Sequence, residues 1–177
     1  DEIMRQLEAK AIDQPRLRAL LPTVNMHLFC GNDNPFAGML RAKGLEFDDL
    51  TLNVNTSPVK GFNSDGHLYS LFSDSLQLDT VAFRIFQKES NIYFSGQVRN
   101  NKRNPQFVFN ALFDGILLER GAEMGLRYFD QNDELGVMIA AATEVVDSGL
   151  SIRLRPKQPI LGYKAFALND DNFIFLG

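Results

Sequence analysis

The stretch Asn91-Ile92-Tyr93-Phe94-Ser95-Gly96-Gln97-Val98 decides the fold class of this chain. Apolar side chains at 92, 94 and 98 alternate with Tyr, Ser and Gln, and a period of two residues is typical of a β-strand with one apolar face. The same alternation recurs at residues 50–54 and 150–154. These patterns predict a mainly β protein.

Further strand-like runs follow one another along the chain. Asn, Asp, Gly or Pro residues separate them, as turns require, and no long helical run lies between them. Such spacing favours an antiparallel meander over parallel βαβ units. The other predicted strands are Met26–Phe29, His67–Phe72, Phe107–Phe113, Met124–Phe129, Leu135–Ala142, Ile160–Leu168 and Asn172–Leu176.

The chain of 177 residues is long enough for one domain with a core but not comfortably for two. We predict a single β-rich domain over residues 1–177. It would have a helical lead-in at 1–14, a strand–helix–strand unit at 26–54 and antiparallel strands over 62–177. Because the sequence opens at Asp1 and stops in a strand-like run, we expect it to be a fragment of a larger protein.

Two short helices are expected near the N-terminus. Apolar residues at helical spacing predict an amphipathic helix over residues 2–13, which Pro15 would end. The second has Asn34 as N-cap, Pro35 at its first position and Gly44 just past its end.

Turn residues predict loops at residues 61–66, 100–105 and 156–159. In residues 76–85 the apolar side chains change from one alternating phase to the other. This change indicates a bulge or break near Thr80.

Composition excludes several classes of function. The net charge is −4 without a basic cluster, which argues against a nucleic-acid partner. No apolar run approaches the roughly 20 residues of a membrane-spanning helix. The single cysteine, Cys30, allows no internal disulfide and no cysteine-based metal site. No motif for a cofactor or a metal is present, so we expect neither.

Residues suited to catalysis are few. His27 and His67 lie in strand-like stretches without a second ligand at metal-binding spacing, and no G-x-S-x-G motif occurs. The acidic run that starts at Asp130 resembles a calcium loop, but its sixth position is Leu135 and its twelfth is Ala141, so a polar turn is the better interpretation. We therefore expect a protein that is not an enzyme.

The alternating strands offer an apolar face that must meet another layer, close on itself or hold a ligand. One interpretation is the core of a sandwich or barrel. The other is an open, curved sheet whose apolar side is a groove for acyl chains, each of which gains about 0.8 kcal/mol per buried CH₂. The candidate groove residues are Leu52, Val54, Phe83, Ile92, Phe94, Val98, Phe107, Phe109, Ile152 and Leu154.

From Asn34-Pro35 onward the order of segments resembles the TamB and AsmA-like proteins of the Gram-negative envelope. The stretches that carry the resemblance are the short helix ending at Gly44 with the strand LTLNV (50–54), LQLDTVAF (76–83), NIYFSGQV (91–98), and the closing run PILGYKAFALN (159–169) with DNFI (171–174). These are diffuse strand patterns rather than invariant chemistry.

The resemblance implies a long periplasmic protein, anchored in the inner membrane and reaching towards the outer one, that folds as a β-taco with an apolar interior. It implies transfer of phospholipids, whose acyl chains would be the ligand, and a link to outer-membrane protein assembly. The family supplies no catalytic residues. Since we expect a fragment, we expect the family's anchor and far C-terminal region to lie outside these 177 residues. The alternative function is a docking module that pairs with an assembly partner through open strand edges.

Overall fold

The computed structural model describes residues 11–73, 76–101, 107–146 and 149–177. It is a mainly β structure with two short helices, as the sequence predicts. The helices are α1 (Gln14–Ala19) and α2 (Pro35–Arg41). The strands are β1 (Val24–Gly31), β2 (Leu45–Glu46), β3 (Asp49–Ser57), β4 (Gly61–Ser73), β5 (Leu76–Lys88), β6 (Asn91–Asn100), β7 (Phe109–Leu118), β8 (Gly121–Phe129), β9 (Leu135–Val146), β10 (Gly149–Leu161), β11 (Lys164–Ala165) and β12 (Ile174–Leu176).

All twelve described strands form one antiparallel sheet. Apart from two short strands, their order follows the chain, β1-β3-β4-β5-β6-β7-β8-β9-β10-β11, while β2 pairs with β4 and β12 with β10. Within the described residues β1 does not pair with β10, β11 or β12, so the sheet is open rather than closed into a barrel. The predicted antiparallel meander is confirmed, and it is the open-sheet alternative that the chain adopts.

The helix α1 begins at Gln14, next to Pro15, where the sequence pattern predicted that a helix over residues 2–13 would end. Residues 1–10 of the predicted lead-in lie outside the described residues, and residues 11–13 are not helical. Pro15 stands in the first turn of α1, and the Asp13 carboxylate caps the helix by accepting a hydrogen bond from the Arg16 amide at 2.9 Å. Proline is favoured there because an amide in the first turn has no intrahelical partner. The prediction that Pro15 ends a helix was wrong.

The second helix was predicted correctly. Asn34 is its N-cap and accepts a hydrogen bond from the Ala37 amide at 2.9 Å, Pro35 is its first residue, and Gly44 follows it with φ of 75°. Among the described residues the buried apolar side chains are few and lie together here: Cys30, Ala37 and Phe47.

Two predicted loops are strand instead. Residues 61–66 belong to β4, and residues 156–159 lie within β10, which passes them with a register shift between Arg155 and Ile160. Local glycine and proline content favours turns, but pairing with long neighbouring strands overrides that preference. In the predicted turn at 100–105, Asn100 ends β6 and residues 102–106 lie outside the described residues.

The expected break near Thr80 is absent from β5. Residues 76–86 keep one register with β4, although Asp79 and Ser70 form no pair, and residues 80–88 keep one register with β6. The irregularity lies on the partner strand, where Ser70 has a left-handed φ of 53°. A non-glycine residue in that region is uncommon. The structure thus has its irregularity at Ser70 of β4, opposite Asp79, and no bulge within β5.

Candidate functional site

The strand register sorts the side chains of the sheet into two faces. Residues paired directly across an antiparallel ladder point to the same side, and successive residues point to opposite sides. One row that crosses eight strands is apolar or glycine throughout: Leu28, Leu52, Gly66, Phe83, Gly96, Phe113, Leu126 and Ile139. We call the side of the sheet that carries this row the apolar face.

Nine of the ten candidate groove residues lie on the apolar face. By register they are Leu52, Val54, Phe83, Ile92, Phe94, Val98, Phe109, Ile152 and Leu154. The tenth, Phe107, precedes β7, is 51% exposed and stacks on Phe109 with ring centroids 5.0 Å apart.

Several residues of the same face were missed by the sequence-based selection. The register adds Val81, Ile85, Phe113, Leu117, Met124, Leu126, Tyr128 and Ile139. The alternation of Met124, Leu126 and Tyr128 is visible in the sequence, so this period was a usable signal. Whether the even-numbered or the odd-numbered residues of another strand share the face of Phe94 depends on the pairing register. That register is set by the whole sheet and cannot be inferred from one segment.

Phenylalanine rings lie over glycines of the neighbouring strand. A Cβ placed on Gly96 would come within 2.6 Å of Cε1 of Phe113, and one on Gly66 within 2.7 Å of Cε1 of Phe83. A Cβ on Gly115 would meet Cε1 of Phe94 at 2.8 Å. The rings therefore lie down across the sheet in space that a larger residue would fill. Because three such pairs lie on one face, the rings lie flat against the sheet there. We call this flat part of the apolar face its floor.

The apolar face carries few charged residues, whereas the opposite face carries many. Among the described residues in register with the apolar face, the charged ones are Asp79 in β5, Glu46, which pairs with Phe72, and Lys164, which pairs with Leu161. Asp79 accepts a hydrogen bond from the Asn101 amide. A row of the opposite face consists of His27, Asn53, Asp65, Arg84, Ser95, Asp114, Gly125, Ala140 and Arg155. Its neighbours bond across strands, as when Asn53 Nδ2 donates to Asp65 Oδ2 at 2.8 Å.

The apolar face is open to solvent. Phe83 is 36% exposed, Leu126 41% and Met124 55%, and no second layer covers them among the described residues. The chain exposes 11618 Å² in total, whereas a compact monomer of 19.9 kDa exposes about 8,700 Å². The excess in total exposed area fits a sheet that is not folded into a closed layer.

One end of the apolar face contains a cavity of about 540 Å³. Its walls include Thr143, Val145, Leu150 and Leu176, which share that face by register. Ala11 and Ile12, which precede α1, form another part of the wall. The chain segment before β1 thus lies over this end of the sheet.

The residues considered for catalysis do not assemble into a catalytic or metal site within the described residues. His27 Nδ1 lies 2.6 Å from Asn53 Oδ1, and the His67 ring lies against Tyr69 with centroids 4.9 Å apart. No group of three or more His, Cys, Asp or Glu side chains that could hold a metal ion is found in the described ranges.

The acidic run at Asp130 is a hydrogen-bonded turn. Asp130 Oδ1 accepts from the amides of Asn132 at 2.8 Å and Glu134 at 3.0 Å, and these bonds lower the pKa of its carboxyl below the ordinary 3.8. Tyr163 donates to Asp130 Oδ2 at 3.1 Å; desolvation first, and then this bond, raise the pKa of Tyr163. The two backbone bonds give the Asp130 carboxylate a structural role in the turn.

No family model, curated protein or solved structure matches this chain. Of the helices in the described residues, neither is long and apolar enough to cross a membrane. The site is therefore interpreted from its own geometry: a broad, largely apolar face on one side of an amphipathic sheet, exposed to solvent at Phe83, Met124 and Leu126.

Proposed function

We propose that the apolar face binds the acyl chains of phospholipids non-covalently and without turnover. In this proposal the chain is a non-enzymatic segment of a periplasmic protein of the TamB and AsmA-like type. The full-length protein would be anchored in the inner membrane and would serve phospholipid transfer to the outer membrane and outer-membrane biogenesis. The observation that carries the proposal is the uninterrupted apolar row from Leu28 to Ile139, on a face where Phe83, Met124 and Leu126 stay exposed to solvent.

The scarcity of charged residues on this face favours acyl chains over polar ligands. A polar or charged ligand would leave its hydrogen-bonding groups against Phe, Leu, Ile and Val, and such burial without partners is costly. An acyl chain needs no directional partner and gains free energy in proportion to the area it removes from water. The low floor made by the Phe–Gly pairs suits an elongated, flexible chain.

Lipid extraction and mass spectrometry of the purified protein test this proposal. We expect phospholipid to co-purify, and we expect Phe94→Asp or Phe109→Asp to lower its amount about tenfold, since Phe side chains contribute roughly 1.5–3 kcal/mol when buried. Ser95→Asp is the matched control, because Ser95 is the neighbour of Phe94 on β6 and points to the opposite face. Lipid-free wild-type protein, or equal loss in the control, would reject the proposal.

A second candidate function is docking through a strand edge to an outer-membrane assembly partner. It is favoured by β1, whose outer edge has no partner strand among the described residues. The strand Val24–Gly31 contains no Lys and no Pro, two residues that proteins use to block edge pairing. His27→Lys would place a blocking charge on this edge. Unchanged partner binding, measured by cross-linking, would argue against docking at β1.

A further inference from the structure

The segment before β1 crosses one end of the sheet. We call residues 11–22, which include α1, the strap. Hydrogen bonds hold it at or near the ends of three hairpins. In the β7–β8 turn, the Glu119 carbonyl accepts from the Ile12 amide at 2.8 Å. Near the end of β5, Gln87 Nε2 donates to the Gln14 carbonyl at 3.3 Å, and in the β3–β4 turn the carbonyls of Pro58 and Val59 accept from the Arg18 guanidinium. Its path thus runs from the β7–β8 turn to the β3–β4 turn.

The strap lies on the apolar side of the sheet. Gln87 pairs with Ile92 and Thr56 with Val24, positions in register with the apolar face. Thr56 Oγ1 donates to the Pro22 carbonyl at 2.6 Å, so the strap is anchored to side chains of that face at both Gln87 and Thr56. Ala11 and Ile12 also line the cavity of about 540 Å³ at this end.

Few side chains of the strap are buried. Of residues 11–22, all of which are described, the buried one is Gln14, at 1% exposure. Both polar atoms of its side-chain amide are buried without a hydrogen-bond partner among the described residues. Burying an unpaired polar group opposes the state in which it is buried. A segment with few buried apolar contacts and exposed hydrogen bonds belongs to the part of a protein that opens most readily.

We infer that the strap is a gate at one end of the acyl-chain site, with Gln14 biasing it towards opening. This inference rests on the proposed function. In the closed position the strap covers the end of the apolar face and traps the chain that lies there. Opening it frees Gln14 to reach water and lets an acyl chain leave along the sheet.

Two substitutions move the gate in opposite directions. Gln14→Met keeps the length of the side chain and removes both unpaired polar atoms, so it favours the closed position. Arg18→Ala removes the hydrogen bonds to Pro58 and Val59 and favours the open position. Hydrogen exchange at the Ile12 amide, whose partner is the Glu119 carbonyl, reports the position of the strap without any lipid.

The gate is tested with a phosphatidylethanolamine that carries a pyrene-labelled acyl chain. The measured quantity is the rate at which this lipid exchanges between the protein and vesicles of phosphatidylethanolamine and phosphatidylglycerol. We expect Gln14→Met to slow both amide exchange and lipid exchange about tenfold, and Arg18→Ala to speed both several-fold. If Gln14→Met does not fold, Ile12→Cys with Glu119→Cys serves instead: oxidation should stop lipid exchange and reduction restore it.

The possible failures are distinguishable. A wild-type protein that takes up no labelled lipid overturns the proposed function, and the gate with it. A wild-type protein that exchanges lipid at a rate insensitive to both substitutions, although Ile12 amide exchange responds, overturns the gate alone. Protection of amides in β5 to β9 should stay unchanged in all variants, since the strap lies outside the sheet.

Discussion

Replacement of Gly96 by alanine tests the packing that makes the floor of the apolar face. The new Cβ would lie 2.6 Å from Cε1 and 2.7 Å from Cε2 of Phe113, and closer still to Cζ. Carbon atoms prefer separations of about 3.5–4.0 Å, so the ring must move by about 1 Å or more. The atoms in the way belong to the far end of a side chain, and Phe113 can turn outwards because the face is open.

The expected cost follows from two opposing terms. Moving the Phe113 ring off its preferred position and out of contact costs about 1–3 kcal/mol, the range for overpacking. Replacing glycine by alanine restricts the unfolded chain and returns about 0.4–1 kcal/mol. We therefore expect Gly96→Ala to lower the free energy of unfolding by about 1–2 kcal/mol. The raised ring should also reduce co-purifying phospholipid, because it stands where a chain would lie.

Gly125→Ala is the matched control. Gly125 lies on β8 and faces the opposite side, where its added Cβ would be 3.7 Å from Asp114 Oδ2 and 3.9 Å from the Ala140 Cβ, ordinary contact distances. With no clash, only the unfolded-state term remains, and we expect a gain of about 0.4–1 kcal/mol.

Urea denaturation gives both free energies from the midpoint at constant slope. In a double-mutant cycle, Phe113→Leu should recover part of the loss in the Gly96→Ala background, because the shorter side chain no longer reaches the new methyl group. If Gly96→Ala proves as stable as Gly125→Ala, or if the cycle shows no coupling, Phe113 does not lie on Gly96 in solution.

Three further predictions concern the rest of the fold. Asn34→Ala should lower the unfolding free energy by about 1 kcal/mol because α2 loses its N-cap acceptor for Ala37; Asn34→Ser should restore most of it, and equal loss in both variants would contradict a capping role. Phe47→Ala should cost about 3 kcal/mol, the low end for a buried Phe, because the surrounding core is small; a loss below 1 kcal/mol in urea titration would show that this core is not formed. The pKa of Asp130 is lowered, so its contribution is present above the unfolded value of 3.8 and is lost as pH falls through the folded value; carbon-detected NMR should show a titration midpoint below 3.8, whereas a midpoint at or above 3.8 would exclude the two backbone hydrogen bonds.

The faces of the sheet could be predicted because they depend on local alternation. Ile92, Phe94 and Val98 alternate within a few residues, and nothing beyond the strand is needed to place them on one side. The cap at Asn34 is local in the same sense, since acceptor and donor are three residues apart.

The errors arose where distant residues decide. Residues 61–66 have the composition of a loop, yet Gly66 sits in a strand where it leaves room for the Phe83 ring from β5. The residue pattern of one segment contains no information about a ring that comes from another strand. The strap is a comparable case, because the contact between Ile12 and Glu119 joins residues far apart in the chain.

The open face and the strap together bear on how tightly a lipid could be held. A chain lying on an uncovered face is contacted from one side, so each CH₂ gains about half of the 0.8 kcal/mol of full burial, and ten CH₂ groups gain roughly 4 kcal/mol. For the open face alone that corresponds to a dissociation constant on the order of 1 mM, weak enough for rapid exchange. Lipid that stays bound through purification must therefore be held mainly by contacts at the strap end. Where the strap lies over the face, the same chain is contacted from both sides. In the proposed mechanism, affinity is therefore set at the strap end of the sheet and mobility along the rest of it.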